Sequence, residues 1–150
     1  MTGTLIVGAS QAGAQLAASL REAGDTAPIT LVGSEPHHPY QRPPLSKAFL
    51  LGRTDATGLT LRAPAYYAER DIEVRTGERI VSLTAGAAHT DTGRVLEFER
   101  LALTVGARVR RLAVPGAELA GVHHLRDLAD ASRLRAALPA AGRVVVVGGG

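Results

Sequence analysis

The first apolar run is short and unbroken, Thr4-Leu5-Ile6-Val7, and Gly8 closes it. A run of this length bounded by glycine predicts a buried strand. Ala12 to Ala23 is rich in Ala and Leu and stops at Gly24, which predicts a helix with a glycine end. Ile29-Thr30-Leu31-Val32 is a second apolar, β-branched run. Strand, helix and strand in this order make a βαβ unit, and hence a parallel sheet with a right-handed crossover.

The pattern then breaks. His37 to Pro44 holds three prolines and no periodicity, so it is an extended loop. Ser46 is expected to N-cap a short helix through Leu51, and Pro64 to open another that runs to about Arg70. Ile72-Glu73-Val74 is a short strand. Ile80 to Leu83, Ala88 to Thr90 and Val95 to Phe98 follow as short strands, with Asp91-Thr92-Gly93 as a turn, which predicts an antiparallel meander. Leu101 to Val105 returns to a buried strand. Asp127 to Leu138 is helical, with Leu128, Ala131, Leu134 and Leu138 along one face. Arg143 to Val147 is the last expected strand, followed by three glycines. Pro115-Gly116 and Pro139 to Gly142 are the linker candidates, and no repeat is visible. A strand that runs into glycines normally opens a further unit, so the sequence reads as a piece of a longer protein.

Composition narrows the chemistry. The 150 residues are 45% apolar and 21% charged, the range of one globular domain. The chain has no Cys, which removes disulfides, thiolate metal sites and cysteine nucleophiles from this stretch. A reducing cytoplasm is compatible with that and is the expected location. The net charge is only +3, with Arg dispersed and few aromatic residues for stacking, so nucleic acid is not an expected partner. No apolar run is long enough to span a membrane. Met1 to Leu20 lacks a basic leader and is interrupted by Gln11 and Gln15, so it is not read as a signal peptide. His37-His38 and His123-His124 are adjacent pairs without metal-ligand spacing, and no metal site is expected.

Gly8-Ala9-Ser10-Gln11-Ala12-Gly13 follows a strand and opens a helix. Free N–H groups and the helix dipole make that position an anion site. Gly8 permits the tight turn and Gly13 lets helix and strand pack closely, while Ser10 replaces the middle glycine and crowds a ligand. Glu35 lies just past the second strand, where an acid accepts hydrogen bonds from a ribose. Taken alone, a tight turn and a solvated carboxylate explain these residues. Taken together they point to a dinucleotide with a free ribose. Gly148-x-Gly150 after the last apolar run has the opening spacing of a second such loop.

Pro39-Tyr40-Gln41-Arg42-Pro43-Pro44-Leu45-Ser46-Lys47 resembles the loop of FAD- and NADH-dependent ferredoxin reductases. These serve bacterial oxygenases and cytochromes P-450 and belong to the pyridine nucleotide-disulfide oxidoreductase superfamily. Leu31 to Glu35, Leu103 to Ala107, Val114-Pro115-Gly116, His124-Leu125-Arg126 and the terminal glycines match in order, so the resemblance spans the whole chain. It implies an α/β fold of the glutathione-reductase-like type, with a parallel βαβ start and an antiparallel meander insertion. Residues 1–112 would be the first part of the FAD domain, 113–142 a connecting segment and helix, and 143–150 the opening of an NADH domain.

The resemblance also implies roles. Gly8, Ser10, Gln11, Ala12 and Gly13 would form the loop on the FAD pyrophosphate, and Glu35 would take the adenosine ribose. Arg42 and Lys47 would contact the flavin nucleotide, with Lys47 near the reactive ring; each is equally readable as a solvated surface cation. Ile80 would meet the adenine through its backbone, Thr104 and Gly106 would lie along the cofactor, and Arg126 would add a flavin-side contact or serve structure alone. Gly148 and Gly150 would begin the NADH site. No side chain is implied as a catalytic acid or base. Electrons would pass from NADH through FAD to an iron–sulfur ferredoxin, without a thiol relay. Two positions depart from the pattern: Ser10, and Val105 where the family's Ala-Thr-Gly motif has Thr. A rubredoxin or nitrite reductase type, or a flavin-binding protein like apoptosis-inducing factor, stands as the alternative.

Overall fold

The computed structural model describes residues 2–148, in two compact units. The first comprises residues 2–41 and 60–107, and the second residues 42–59 and 108–148.

The first unit is built on a four-stranded parallel sheet. Its strands are β1 (Thr4–Val7), β2 (Ile29–Gly33), β3 (Ile72–Thr76) and the last strand of the unit, β7 (Arg100–Leu103). Their order across the sheet is β3-β2-β1-β7. Helix α1 (Gln11–Glu22) connects β1 to β2, and the short α2 (Pro64–Ala68) precedes β3. Strands β4 (Ile80–Thr84), β5 (Ala87–Thr90) and β6 (Val95–Glu97) form the antiparallel meander. The expected mixture of a parallel βαβ start and an antiparallel insertion is what the chain adopts.

Alternation along β1 explains both covered faces. Ile6 points to one side with Ile29, Leu31, Ala14, Ala17, Tyr67 and Ile72. Leu5 and Val7 point to the other side, with Val32 and with Ala88 of the meander. Successive strand residues face opposite ways, so a run apolar at every position must be buried on both faces. Each fully buried Leu or Ile here contributes about 1.5–3 kcal/mol of transfer free energy. Gly24, at φ +84°, follows the end of α1 and donates to the Arg21 carbonyl at 3.0 Å.

The second unit holds α3 (Leu128–Ala137) and 3₁₀ turns at Pro43–Ser46, Thr57–Leu59 and Leu138–Ala140. Asp127 N-caps α3 in a capping box with Asp130, each side chain accepting from the other's backbone N–H. Leu45, Phe49, Leu59, Leu128 and Ala131 are its buried apolar residues. The Arg135 guanidinium lies 5.5 Å above the centre of the Phe49 ring.

Three local expectations are corrected. Ser46 does not cap a helix: Pro43-Pro44 start a 3₁₀ turn with Arg42 as its N-cap, and Ser46 ends it. Proline fixes the φ of a first helical turn, so the helical start moved upstream to the prolines. Isolated turns follow, with Leu51 donating to Lys47 and Gly52 to Phe49. The strand expected at Leu101 to Val105 ends at Leu103 and is only half-buried, because β7 is an edge of the sheet. The strand expected at Arg143 to Val147 does not form among the described residues, and Val144 to Val147 are exposed. A strand needs a ladder, and none of the described residues pairs with this run.

Candidate functional site

The sheet order sets one end of the first unit apart. From β1 the chain crosses to β2 on one side, while β7 lies against β1 on the other. Ligands of open parallel sheets bind beyond the carboxyl ends of the strands, at the point where the order diverges. Here that point is flanked by Val7 and Leu103, which are register partners. Gly8 follows the first and Thr104 the second.

The turn from β1 into α1 depends on glycine. Gly8 sits at φ +118°, and a Cβ there would lie 2.2 Å from the Thr104 carbonyl oxygen. A Cβ on Gly13 would lie 2.2 Å from the Gly8 carbonyl oxygen and 2.9 Å from Leu31 Cδ1. These contacts bring the helix start down onto the sheet. Ser10 takes an extended N-cap conformation, its N–H donating to Gly8 at 2.9 Å and its carbonyl accepting from Ala14 at 2.9 Å. The N–H groups of Gln11, Ala12 and Gly13 therefore head the helix, where intrahelical partners do not exist. No acidic residue lies in that first turn, so no side chain of that turn opposes an anion.

Glu35 follows the end of β2 and is firmly held. Its carboxylate Oε2 accepts the Tyr40 hydroxyl proton at 2.5 Å, and its carbonyl accepts the Gly77 N–H at 2.9 Å. Glu78 N–H donates to the Gly33 carbonyl at 3.0 Å. The β3–β4 turn is thereby tied to the Glu35 segment. Ile80 opens β4 just beyond it, with its side chain packed on the Leu5, Val7, Val32 and Ala88 cluster. Gly106 lies past β7 at φ +68°, exposed.

In the second unit, Arg42 and Arg126 are brought together: Arg42 Nη1 donates to the Arg126 carbonyl at 2.8 Å. The Arg126 N–H in turn donates to Asp130 Oδ2 at 2.9 Å. Lys47 is exposed immediately after the 3₁₀ turn, and its N–H donates to Pro44 at 3.0 Å. Gly148 is exposed at φ +89° with open space around it, and Gly150 lies outside the described residues.

Sequence reasoning missed two participants, Tyr40 and Gly33. Tyr40 grips Glu35, but only the fold shows that these residues, five apart, face each other. Gly33 lets Ala9 approach, since a Cβ there would stand 2.5 Å from Ala9 Cβ; a glycine right after an apolar strand was the available signal. Thr104, expected along a cofactor, engages the loop through its hydroxyl, which lies 2.9 Å from the Gly8 carbonyl oxygen and 3.1 Å from that of Val7. Among the described residues, no cluster of three or more His, Asp or Glu is placed to hold a metal ion, and no helix is long and apolar enough to cross a membrane.

Outward donors at a helix start, a glycine turn under them and a fixed carboxylate beyond the next strand fit a diphosphate joined to a ribose. The class defined by this fold is a dinucleotide-binding α/β protein. The model of the pyridine nucleotide-disulphide oxidoreductase family matches residues 2–150, and the chain belongs to that family. It is 41% identical over 148 residues to rhodocoxin reductase of Rhodococcus erythropolis, covering 97% of this chain and 35% of that protein. It is 41% identical over 147 residues to the ferredoxin–NAD(+) reductase component of the biphenyl dioxygenase system of Paraburkholderia xenovorans, covering 97% and 36%. The crystal structure of the ferredoxin reductase for the CYP199A2 system of Rhodopseudomonas palustris superposes with a TM-score of 0.87 at 39% identity, covering 93% of this chain and 35% of that one. The chain thus spans about a third of the length of these relatives.

Proposed function

We propose that this chain supplies the FAD-holding part of an NADH-dependent ferredoxin reductase that serves an oxygenase or a cytochrome P-450. The observation that carries this reading is the α1 start at the divergence of the sheet, with Glu35 fixed beyond the neighbouring strand. In this reading the Gln11, Ala12 and Gly13 N–H groups bind the pyrophosphate, over Gly8 and Ser10. The Glu35 carboxylate, oriented by Tyr40, accepts from the adenosine ribose. The Ile80 backbone meets the adenine, and Thr104 and Gly106 border the pyrophosphate. Arg42, Lys47 and Arg126 are the flavin-side cations, with Lys47 favouring negative charge on the ring. Gly148 and Gly150 open the NADH site.

Bound FAD supplies the ability to take a hydride and release electrons singly, and the protein's part is to place and tune it. Nothing in that part calls for a side-chain acid or base. The absence of Cys from these residues means that no thiol relay operates within them. On the same reading, residues 1–112 belong to the FAD domain, 113–142 connect, and 143–150 begin the NADH domain. Cytoplasm is the proposed location and an iron–sulfur ferredoxin the proposed partner.

The test is an anaerobic NADH titration of the purified, FAD-loaded protein, followed by flavin absorbance. Uptake of FAD by this chain is the expected result, and bleaching at one equivalent of NADH with reoxidation by added ferredoxin is expected of the same titration on a protein that carries the whole NADH domain. A yellow protein that does not bleach rejects reduction by NADH for this chain and leaves FAD binding standing. A protein that takes up no FAD rejects the reading outright.

A further inference from the structure

We infer that Thr104 is a positioning residue that locks the phosphate-binding turn from beneath through its hydroxyl, and that this lock sets how tightly the turn holds a diphosphate. The inference rests on the dinucleotide reading for its second half only.

Thr104 grips the turn twice. Its backbone N–H donates to the Val7 carbonyl at 2.8 Å, which continues the β1–β7 ladder one residue further. Its hydroxyl, with one proton, is 2.9 Å from the Gly8 carbonyl oxygen and 3.1 Å from that of Val7. The Gly8 carbonyl is also the acceptor for the Ser10 N–H. The hydroxyl and the Ser10 amide therefore converge on one oxygen. The peptide that points Ser10 and the first-turn donors outward is held from both sides.

Packing closes the same space. Gly8 and Gly13 are the residues that need to be small here, and a Cβ on either would come within 2.9 Å of Thr104 Oγ1. The hydroxyl thus fills the gap that the two glycines leave. Ser10, which stands where the pattern has its middle glycine, is a stiffer and bulkier choice than glycine. A strut under the preceding carbonyl fixes where that residue sits, and a preorganised turn binds an anion without an ordering cost.

The lock is separable from the fold. Without the hydroxyl, the Val7 carbonyl keeps the Thr104 N–H and the Gly8 carbonyl keeps the Ser10 N–H. Neither becomes an orphan, so thermal stability should change little. Valine at this position is a harsher variant than alanine. It puts a methyl where the oxygen now lies 2.9 Å from a carbonyl, and the turn must shift away.

The experiment compares the whole chain with T104A, T104S and T104V. Amide hydrogen exchange without ligand reads the turn directly, and FAD titration by flavin fluorescence reads its consequence. T104A is expected to speed exchange at residues 8–14 about fivefold and weaken FAD by about five- to tenfold, with a Tm close to the parent's. T104S should restore both, and T104V should be the weakest binder. Unchanged exchange in T104A overturns the inference, whether or not the parent binds FAD. Faster exchange with unchanged FAD affinity overturns its second half. A fall in Tm that matches the loss of affinity, without rescue by T104S, reduces Thr104 to an ordinary packing residue and also overturns it. A parent that protects the turn through Thr104 yet takes up no FAD keeps the lock, and rejects both its link to binding and the proposed function.

Discussion

Where the strands of the parallel sheet begin, side chains close over the backbone; where they end, the backbone is left facing outward. At the beginning, Arg21 spends its whole guanidinium on carbonyls. Nε reaches Arg70 at 2.7 Å, Nη1 reaches Asp25 at 2.6 Å and Ala27 at 2.8 Å, and Nη2 reaches Asp71 at 2.8 Å. Asp71 sits at φ +50°, a left-handed conformation held just ahead of β3. Asp25 accepts the Ala27 N–H and pairs with Arg100 at 2.7 Å. At the other end stand Gly8, Gly13 and Gly33, a helix start without acidic residues, and one oriented carboxylate. An open surface depression of about 440 Å³ lies at the closed end, beside Arg21, Asp25 and Arg70. That depression is lined by donors already spent on carbonyls, whereas the free donors of the α1 start head the proposed site at the other end.

The largest expected effect comes from forcing a side chain into the open end. In Gly13→Ala the new methyl lies 2.2 Å from a backbone oxygen, with Thr104 and Leu31 behind it. A backbone atom cannot swing aside, so the helix start must lift off the sheet. The expected loss is about 3 kcal/mol of stability, with no measurable FAD uptake. Chemical denaturation and flavin titration check both halves. A variant of parental stability that still binds FAD breaks the claim that glycine is required there.

Next comes the closed end. Arg21→Met keeps much of the apolar stem and removes the donors of all four bonds. Partial access of water to the carbonyls limits the loss to about 2 kcal/mol. FAD affinity, measured where the protein is folded, should not move. If affinity falls with stability, the two ends are coupled and the contrast between them fails.

Glu35→Gln sharpens the open end from the opposite direction. The fold should keep its stability within about 0.5 kcal/mol, while FAD affinity falls about tenfold as a charged acceptor becomes neutral. Tyr40→Phe removes the orienting bond and keeps the carboxylate, so a fall of about threefold is expected. Equal losses in the two variants would mean that the tyrosine itself meets the ligand.

The legible part of this molecule was the part written in local pattern. The strands at Thr4 and Ile29, the helix stopped by Gly24 and the meander turn at Gly93 each carry their cause within a few residues. The glycine turn and Glu35 were legible for the same reason. Ser46 failed because capping chemistry and proline compete, and the prolines fix φ outright. Val144 to Val147 failed because β propensity describes a residue, whereas a strand is a property of a pair. Thr104 lies 96 residues from Gly8, and Arg21 lies 49 from Arg70. No periodicity announces a side chain that reaches across the sheet to a carbonyl, and these two residues determine how each end is finished.

The smallest effect belongs to Asp25, and it is visible only as a function of pH. The Ala27 N–H holds the Asp25 carboxyl below its ordinary range, and the guanidinium groups of Arg100 and Arg21 pull the same way against the opposing effect of burial. A folded pKa below the unfolded one means that the native state binds the proton less readily. The carboxylate therefore stabilises the fold above the unfolded value, and that contribution fades as pH falls through the folded one. Asp25→Asn should lower the Tm most at neutral pH, and the gap from the parent should close below about pH 4. FAD at saturation should raise both melting curves equally, because the proposed site lies at the other end. A gap constant with pH would assign Asp25 a role in shape rather than charge. A gap that FAD abolishes would show that closing one end of the sheet is felt at the other.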